Sequence, residues 1–279
     1  MKLKIILFFA LLPGVAFADT FRQSRTLELP AAGVHELNVR CGAGSLTVQG
    51  SEGVEIIKVM AEIEFEGIDK GEFQLLVDKL VQLNLKKVND KAMLLSDIVK
   101  QPLTNVEGRI NLNIVMPGKM DLKIVDGSGD MLVRNISGDL TIDDDSGGIK
   151  VENITGLIVI KDTSGDIAIE EVNGSMEIDD GSGGIKIQKT AGNVMIKDTS
   201  GPIEINNIGG NVTVSDGSGS IDIYRVQKNV YIREAGSGKL EVNGVQGKVI
   251  IRNSEEKANK EGRENEEEQE KEEGQENEE

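Results

Sequence analysis

Residues 137–156 read SGDLTIDDDSGGIKVENITG, and residues 164–184 read SGDIAIEEVNGSMEIDDGSGG. Both stretches alternate polar and aliphatic residues between glycine turns. Ser-Gly pairs begin at Ser128, Ser146, Ser164, Ser182, Ser200 and Ser218, each 18 residues after the last. A seventh, at Ser237, follows after 19, so one residue is inserted there. A second glycine series, Gly138, Gly156, Gly174, Gly192 and Gly210, keeps the same 18-residue step and interleaves with the first. After each glycine comes x-aliphatic-x-aliphatic, as in Leu140/Ile142, Ile149/Val151, Ile167/Ile169 and Ile185/Ile187.

Alternation with period two means a strand with one buried face. The β-branched content suits strands. The links are too short for crossover helices, so parallel pairing has to come from coiling the whole chain. Each 18-residue, two-strand coil then stacks on the next at about 4.8 Å. The predicted fold is all-β: a parallel β-solenoid, or β-helix, of roughly seven coils over 120–252, a rod about 34 Å long. A lone coil buries too few aliphatic side chains to offset the entropy of ordering it, so the rod should fold as a nearest-neighbour array.

Working outward, residues 35–119 read as a small α/β cap that also contains the first strands. Leu37/Val39 and Leu46/Val48 are repeat-like, and Val54–Phe65 is a longer alternating strand. Asp69–Gln82 fits a helix: Asp69 and Glu72 suit a capping box, and Phe73, Leu76, Val77 and Leu80 share a face. A hairpin turns near Asn89-Asp90, and Ile110–Met116 forms a further strand. Residues 19–34 are an N-terminal segment of no assigned structure.

Both ends of the chain read clearly. Lys2 and Lys4, the apolar run Ile5–Leu12, and Ala16-Phe17-Ala18 make residues 1–18 a cleaved signal peptide, with the mature chain beginning near Asp19. The expected location is extracytoplasmic, the periplasm ahead of full secretion or the cell surface. No later run is long and apolar enough for a transmembrane segment in the mature chain. From Ser254 to Glu279 there are thirteen Glu against four Lys or Arg and no apolar residue larger than Ala258. Residues 253–279 therefore read as a disordered acidic tail.

Composition narrows the function. The 279-residue chain carries a net charge of −17, which argues against nucleic acid and against anionic lipid. One Cys and one His exclude an intrachain disulfide and the usual zinc or His-rich metal centres. Cys41 lacks a nearby base and reads as a buried structural thiol. No catalytic residue is assigned, and no cofactor is implied.

Residues 18 apart become neighbours in such a coil. One outward column, Asp143, Lys161, Asp179, Lys197, Ser215, Arg233, alternates in sign over its first four members and would penalise a one-coil slip. A second column is Asp126, Asp144, Asp162, Asp180, Asp198 and Asp216, each before x-Ser-Gly. These six are the candidate metal ligands, for Ca²⁺. The calcium-roll pattern, however, places its Asp two residues before the aliphatic, whereas Asp144 lies five before Ile149. The preferred reading is an Asx turn, in which each carboxylate accepts the N–H groups of its own tight turn.

The repeats quoted above, together with INLNIVMPGKMDLKIVDGSGD at residues 110–130, resemble a domain-of-unknown-function family of bacterial β-solenoid proteins labelled "putative adhesin". The resemblance spans roughly residues 35–252. It implies a bacterial envelope protein of repetitive β-fold and carries no catalytic residues. The expected function is a non-enzymatic, adhesin-like binding or scaffold protein whose partner is an envelope protein or glycan. The alternative is a divalent-cation-binding or envelope-stress component acting through the Asp ladder and acidic tail. A carbohydrate-active β-helix enzyme ranks below both, because coils this regular leave little to build a cleft.

Overall fold

The computed structural model describes residues 20–99 and 106–252. The expected signal peptide and acidic tail both lie outside the described residues. Within them the chain is all-β apart from one helix. In order come β1 (Thr20–Pro30), β2 (Glu36–Cys41), β3 (Leu46–Ser51), β4 (Ile56–Glu66), α1 (Phe73–Leu80), β5 (Val81–Val88), β6 (Lys91–Ile98) and β7 (Glu107–Pro117). Strand pairs then follow, one pair per coil: β8 (Asp121–Asp126) and β9 (Met131–Ile136), β10 (Leu140–Asp144) and β11 (Ile149–Thr155), β12 (Ile158–Asp162) and β13 (Ile167–Asn173), β14 (Met176–Asp180) and β15 (Ile185–Thr190). The series closes with β16 (Val194–Asp198) and β17 (Ile203–Ile208), β18 (Val212–Asp216) and β19 (Ile221–Val226), β20 (Val230–Ala235) and β21 (Leu240–Val245), and β22 (Val249–Ile251).

Two eleven-stranded sheets face each other. Even-numbered strands from β8 onward stack in one and odd-numbered strands from β9 onward in the other, all parallel. Ile149 lies beside Ile167 and Ile167 beside Ile185, as an 18-residue coil requires. Between the sheets every coil contributes the aliphatic rung that alternation predicts, for example Leu140, Ile142, Ile149 and Val151. Each coil then turns through a residue in the left-handed region, Asn135, Asn153, Glu171, Lys189, Asn207 or Arg225, and follows it with an inward side chain such as Ile136, Ile154 or Val172.

At the N-terminal end the order of stacking departs from the order of the chain. β2 and β3 pair in parallel with β8 and β9, so residues 36–51 form a genuine coil of the stack. The next coil outward is β6 and β7, which the chain reaches only later. Residues 36–51 are thus inserted between two coils that follow them in sequence. β1, β4 and β5 finish the two sheets with antiparallel pairings. These change strand direction at the end of the stack, where a further parallel coil would otherwise add. β1 itself lies in the segment to which the sequence assigned no structure.

The helix is shorter than its sequence suggests. Glu72 occupies the N-cap without a side-chain cap bond, and its N–H instead donates to the Asp69 carbonyl, so the expected capping box does not form. At the other end Val81 is already extended, because Val81, Leu83 and Leu85 alternate and pair along β6. Phe73, Val77 and Leu80 are the buried face. The Phe73 ring sits 5.9 Å from that of Phe21 and 6.1 Å from that of Phe65, which packs α1 against β1 and β4. At the opposite end Val249, Ile250 and Ile251 of the last strand are exposed.

The outward charge column is corrected at its last member. Ser215 lies beside Glu234, not Arg233, because the register shifts after Val214. The inserted residue of the 19-residue coil is absorbed there as a bulge. Ser215 donates its hydroxyl to Glu234 Oε2 at 3.1 Å. Within the column Lys197 and Asp179 make an ion pair at 3.3 Å.

Candidate functional site: a buried carboxylate column

Asp126, Asp144, Asp162, Asp180, Asp198 and Asp216 each end an even-numbered strand and point inward. The alternation that buries Leu140 and Ile142 also buries Asp144, two residues further on. All six are only 1–6% exposed. They are in register, one per coil: Asp126 beside Asp144, Asp144 beside Asp162, and so on to Asp216. Beyond Asp216 the slot holds Ala235. At the other end Arg40 pairs with Val125, so Cys41 occupies the slot before Asp126, and Ser96 lies beside Cys41. Cys41-Gly42-Ala43-Gly44 is the first coil's version of Asp-x-Ser-Gly, and Ala43 bridges to Ser128 accordingly.

One oxygen of most of these carboxylates is engaged locally. Oδ1 of Asp162, Asp180, Asp198 and Asp216 accepts the N–H of Ser164, Ser182, Ser200 and Ser218, at 3.0–3.2 Å. Asp126 Oδ1 accepts from Gly127 N–H at 2.9 Å. The four bonds to Ser N–H, two residues along the chain, have the Asx-turn form; the Asp126 bond reaches only the next residue. The remaining oxygen is unpaired and buried in every case, and Asp144 has no partner on either oxygen. The Asp145 N–H lies near enough to favour ionised Asp144 without reaching hydrogen-bond geometry.

Electrostatics follow from this placement. Burial, and then the carboxylates of Asp126, Asp162 and Asp145, raise Asp144 to a pKa of about 7. Burial, and then Asp198 and Asp162, raise Asp180 to about 7. Burial raises Asp198 to about 6, opposed by the Ser200 N–H. Asp126, Asp162 and Asp216 are also raised, burial again being the largest cause. Burial and Asp126 push the Cys41 thiol far above its ordinary range, so it stays un-ionised.

As a metal centre the column has an awkward shape. Its carboxylates lie in a line with one per coil, and a calcium ion wants six to eight oxygens around a point. Among the described residues no three His, Cys, Asp or Glu side chains are grouped to hold a metal ion. Elsewhere, buried Glu64 ion-pairs with Arg22 at 2.9 Å and with Arg109, clamping β1, β4 and β7 together on their outer face. No described helix is long and apolar enough to cross a membrane.

The family description Toastrack DUF4097 matches residues 8–276. The chain belongs to the Toastrack family. A search among curated proteins found no match. Among solved structures, a crystal structure described as a putative adhesin from Bacteroides fragilis is 13% identical to this Toastrack chain, covering 82% of it and 97% of its own chain, with a TM-score of 0.42. One described as a putative lipid binding protein from Parabacteroides distasonis is 12% identical, covering 82% and 94%, also with a TM-score of 0.42. One described as a putative cell adhesion protein from Clostridium sporogenes is 17% identical, covering 82% and 98%, with a TM-score of 0.34.

Proposed function

We propose that this Toastrack chain is a non-enzymatic, adhesin-like binding or scaffold protein of the bacterial cell envelope, acting outside the cytoplasm, in the periplasm ahead of the cell surface. The observation that carries the reading is the regularity of the coils from 120 to 252. No loop rises from them to wall a cleft, and the side chains that face outward form long columns such as Lys123, Thr141, Val159, Glu177, Met195 and Thr213. A flat, mostly polar β-face suits an extended partner, an envelope protein or glycan, better than a small substrate. The N-terminal leader pattern supports export, and the charge of −17 disfavours nucleic acid as the partner.

Two measurements test this. Cell fractionation with N-terminal sequencing should find the mature chain outside the cytoplasm and starting near Asp19. Cytoplasmic recovery with Met1 retained would contradict it. Binding to purified envelope fractions should weaken when outward residues of one sheet are changed, for example Thr141→Arg with Glu177→Arg, while the fold is kept. Binding that is absent, or indifferent to both faces, would overturn the scaffold reading.

A further inference from the structure

We propose that the stacked carboxylates of Asp126, Asp144, Asp162, Asp180, Asp198 and Asp216 are a shared-proton ladder, taking up protons on folding so that mild acid tightens the rod. The argument begins with register. Each coil places one carboxylate directly beside the next, at the ~4.8 Å spacing of the ladder. Five keep one buried oxygen without a partner while a turn N–H holds the other, and Asp144 has both oxygens buried and unpartnered. Ser96, which continues the column beyond Cys41, is 1% exposed, and its hydroxyl is likewise unpartnered. A chain of acceptors alone would leave every one of these oxygens unsatisfied. Protons on alternate members supply the missing donors, since a protonated Oδ2 can direct its O–H along the column toward the neighbouring carboxylate.

The charged groups around the column point the same way. Those facing it are its own members, Asp145 beside Asp126 and Asp144, and the un-ionised Cys41 thiol. The other contributors are backbone N–H groups of the turns at Gly127, Ser128, Thr163, Ser164, Gly181, Ser182, Thr199, Ser200 and Ser218. Lys and Arg ion pairs among the described residues engage other carboxylates, such as Lys197 with Asp179 and Lys186 with Glu204. The ladder ends where the slot becomes Cys41 on one side and Ala235 on the other, neither of which carries a charge.

The sign follows from the raised values at Asp144, Asp180 and Asp198. The folded rod holds protons that the unfolded chain has released at the same pH. Stability should therefore rise as pH falls from 8 toward 5, and flatten below the unfolded carboxylate range. For the full mature chain with EDTA present, we expect a urea-unfolding equilibrium constant on the order of tenfold or more smaller at pH 5 than at pH 8. Asp144→Asn with Asp180→Asn should stabilise the rod at pH 8 and flatten this dependence. Asp143→Asn with Glu177→Gln, two exposed carboxylates on the same sheet, should leave it in place, which separates the ladder from general charge repulsion.

Should the inward double variant not fold, carboxyl carbon-13 NMR of the wild-type rod decides the matter. At least two Asp carboxyls titrating at pH 6 or above would support the ladder. All Asp carboxyls titrating near pH 4, or equal stability at pH 5 and 8, would overturn it. Stabilisation at pH 8 by millimolar Ca²⁺ that EDTA reverses would also overturn it, replacing the proton with a bound cation.

Discussion

Gly183 and Gly53 both lie at positive φ, at +141° and +71°, yet they should answer very differently to alanine. A Cβ on Gly53 meets nothing within 4 Å. Gly53→Ala therefore carries only the conformational cost of a left-handed alanine, about 1–2 kcal/mol. A Cβ on Gly183 would fall 1.8 Å from the Gly165 carbonyl oxygen in the coil beneath. That oxygen belongs to backbone, so the coils themselves would have to separate. Gly183 also donates its N–H to the Ser200 carbonyl at 3.1 Å, and Gly165 donates to the Ser182 carbonyl at 2.9 Å. Gly183→Ala thus adds the loss of one or two inter-coil bonds, about 0.5–1.5 kcal/mol each, to a backbone strain of about 1–3 kcal/mol. The sum is roughly 1.5–6 kcal/mol, centred near 4, against about 1–2 for Gly53→Ala. Urea melts of the mature chain and both variants, followed by the β-sheet circular dichroism signal, measure the difference. If Gly183→Ala costs no more than Gly53→Ala, the coils are not packed glycine on carbonyl and the reasoning fails.

Thr190 occupies the slot held in other coils by Ile154, Val172, Ile208 and Val226, and its buried hydroxyl has no partner, so Thr190→Val should stabilise by about 1 kcal/mol in the same assay. Ile160→Ala removes a side chain packed between the sheets and should cost about 2–5 kcal/mol, with faster amide exchange centred on β12 and its neighbours. The exposed Lys197–Asp179 pair should contribute under about 1 kcal/mol in a double-mutant cycle, and less still in 1 M salt. Cys41 should resist iodoacetamide at pH 8 in the folded chain and react at once in 8 M urea, because burial keeps its thiol protonated.

The solenoid was legible because each coil states the same pattern again, and Ile149 beside Ile167 is a direct consequence of the 18-residue step. The N-terminal threading was hidden. Nothing in Leu37/Val39 and Leu46/Val48 says that their coil lies between β6–β7 and β8–β9, because that pairing depends on residues more than 50 positions away. The helix expectation overran its ends, since Val81–Val88 can follow either period until β6 supplies a partner. The bulge at Val214/Ser215 had a signal in the 19-residue spacing, but a spacing alone does not locate the extra residue. The left-handed corner was marked by Asn135, Asn153 and Asn207 and disguised by Glu171, Lys189 and Arg225. In the candidate site the Asx turns followed from Asp-x-Ser-Gly. The burial of the carboxylates was also in the alternation, where Leu140, Ile142 and Asp144 share a parity, but their charge argued for the opposite face. Cys41 as a member of the same column needed the parallel register to be seen.

Spin labels on one outward column offer the shortest route to the wound backbone on which all of this depends. Lys123 and Thr213 are 90 residues apart in sequence but share a column, five coils apart. With Cys41→Ser as background, labels at these two sites should give a single narrow dipolar distance near 24 Å, five spacings of ~4.8 Å, broadened only by the label arms. A broad distribution, or a centre well beyond about 40 Å, would mean that the chain does not climb one ladder step per repeat.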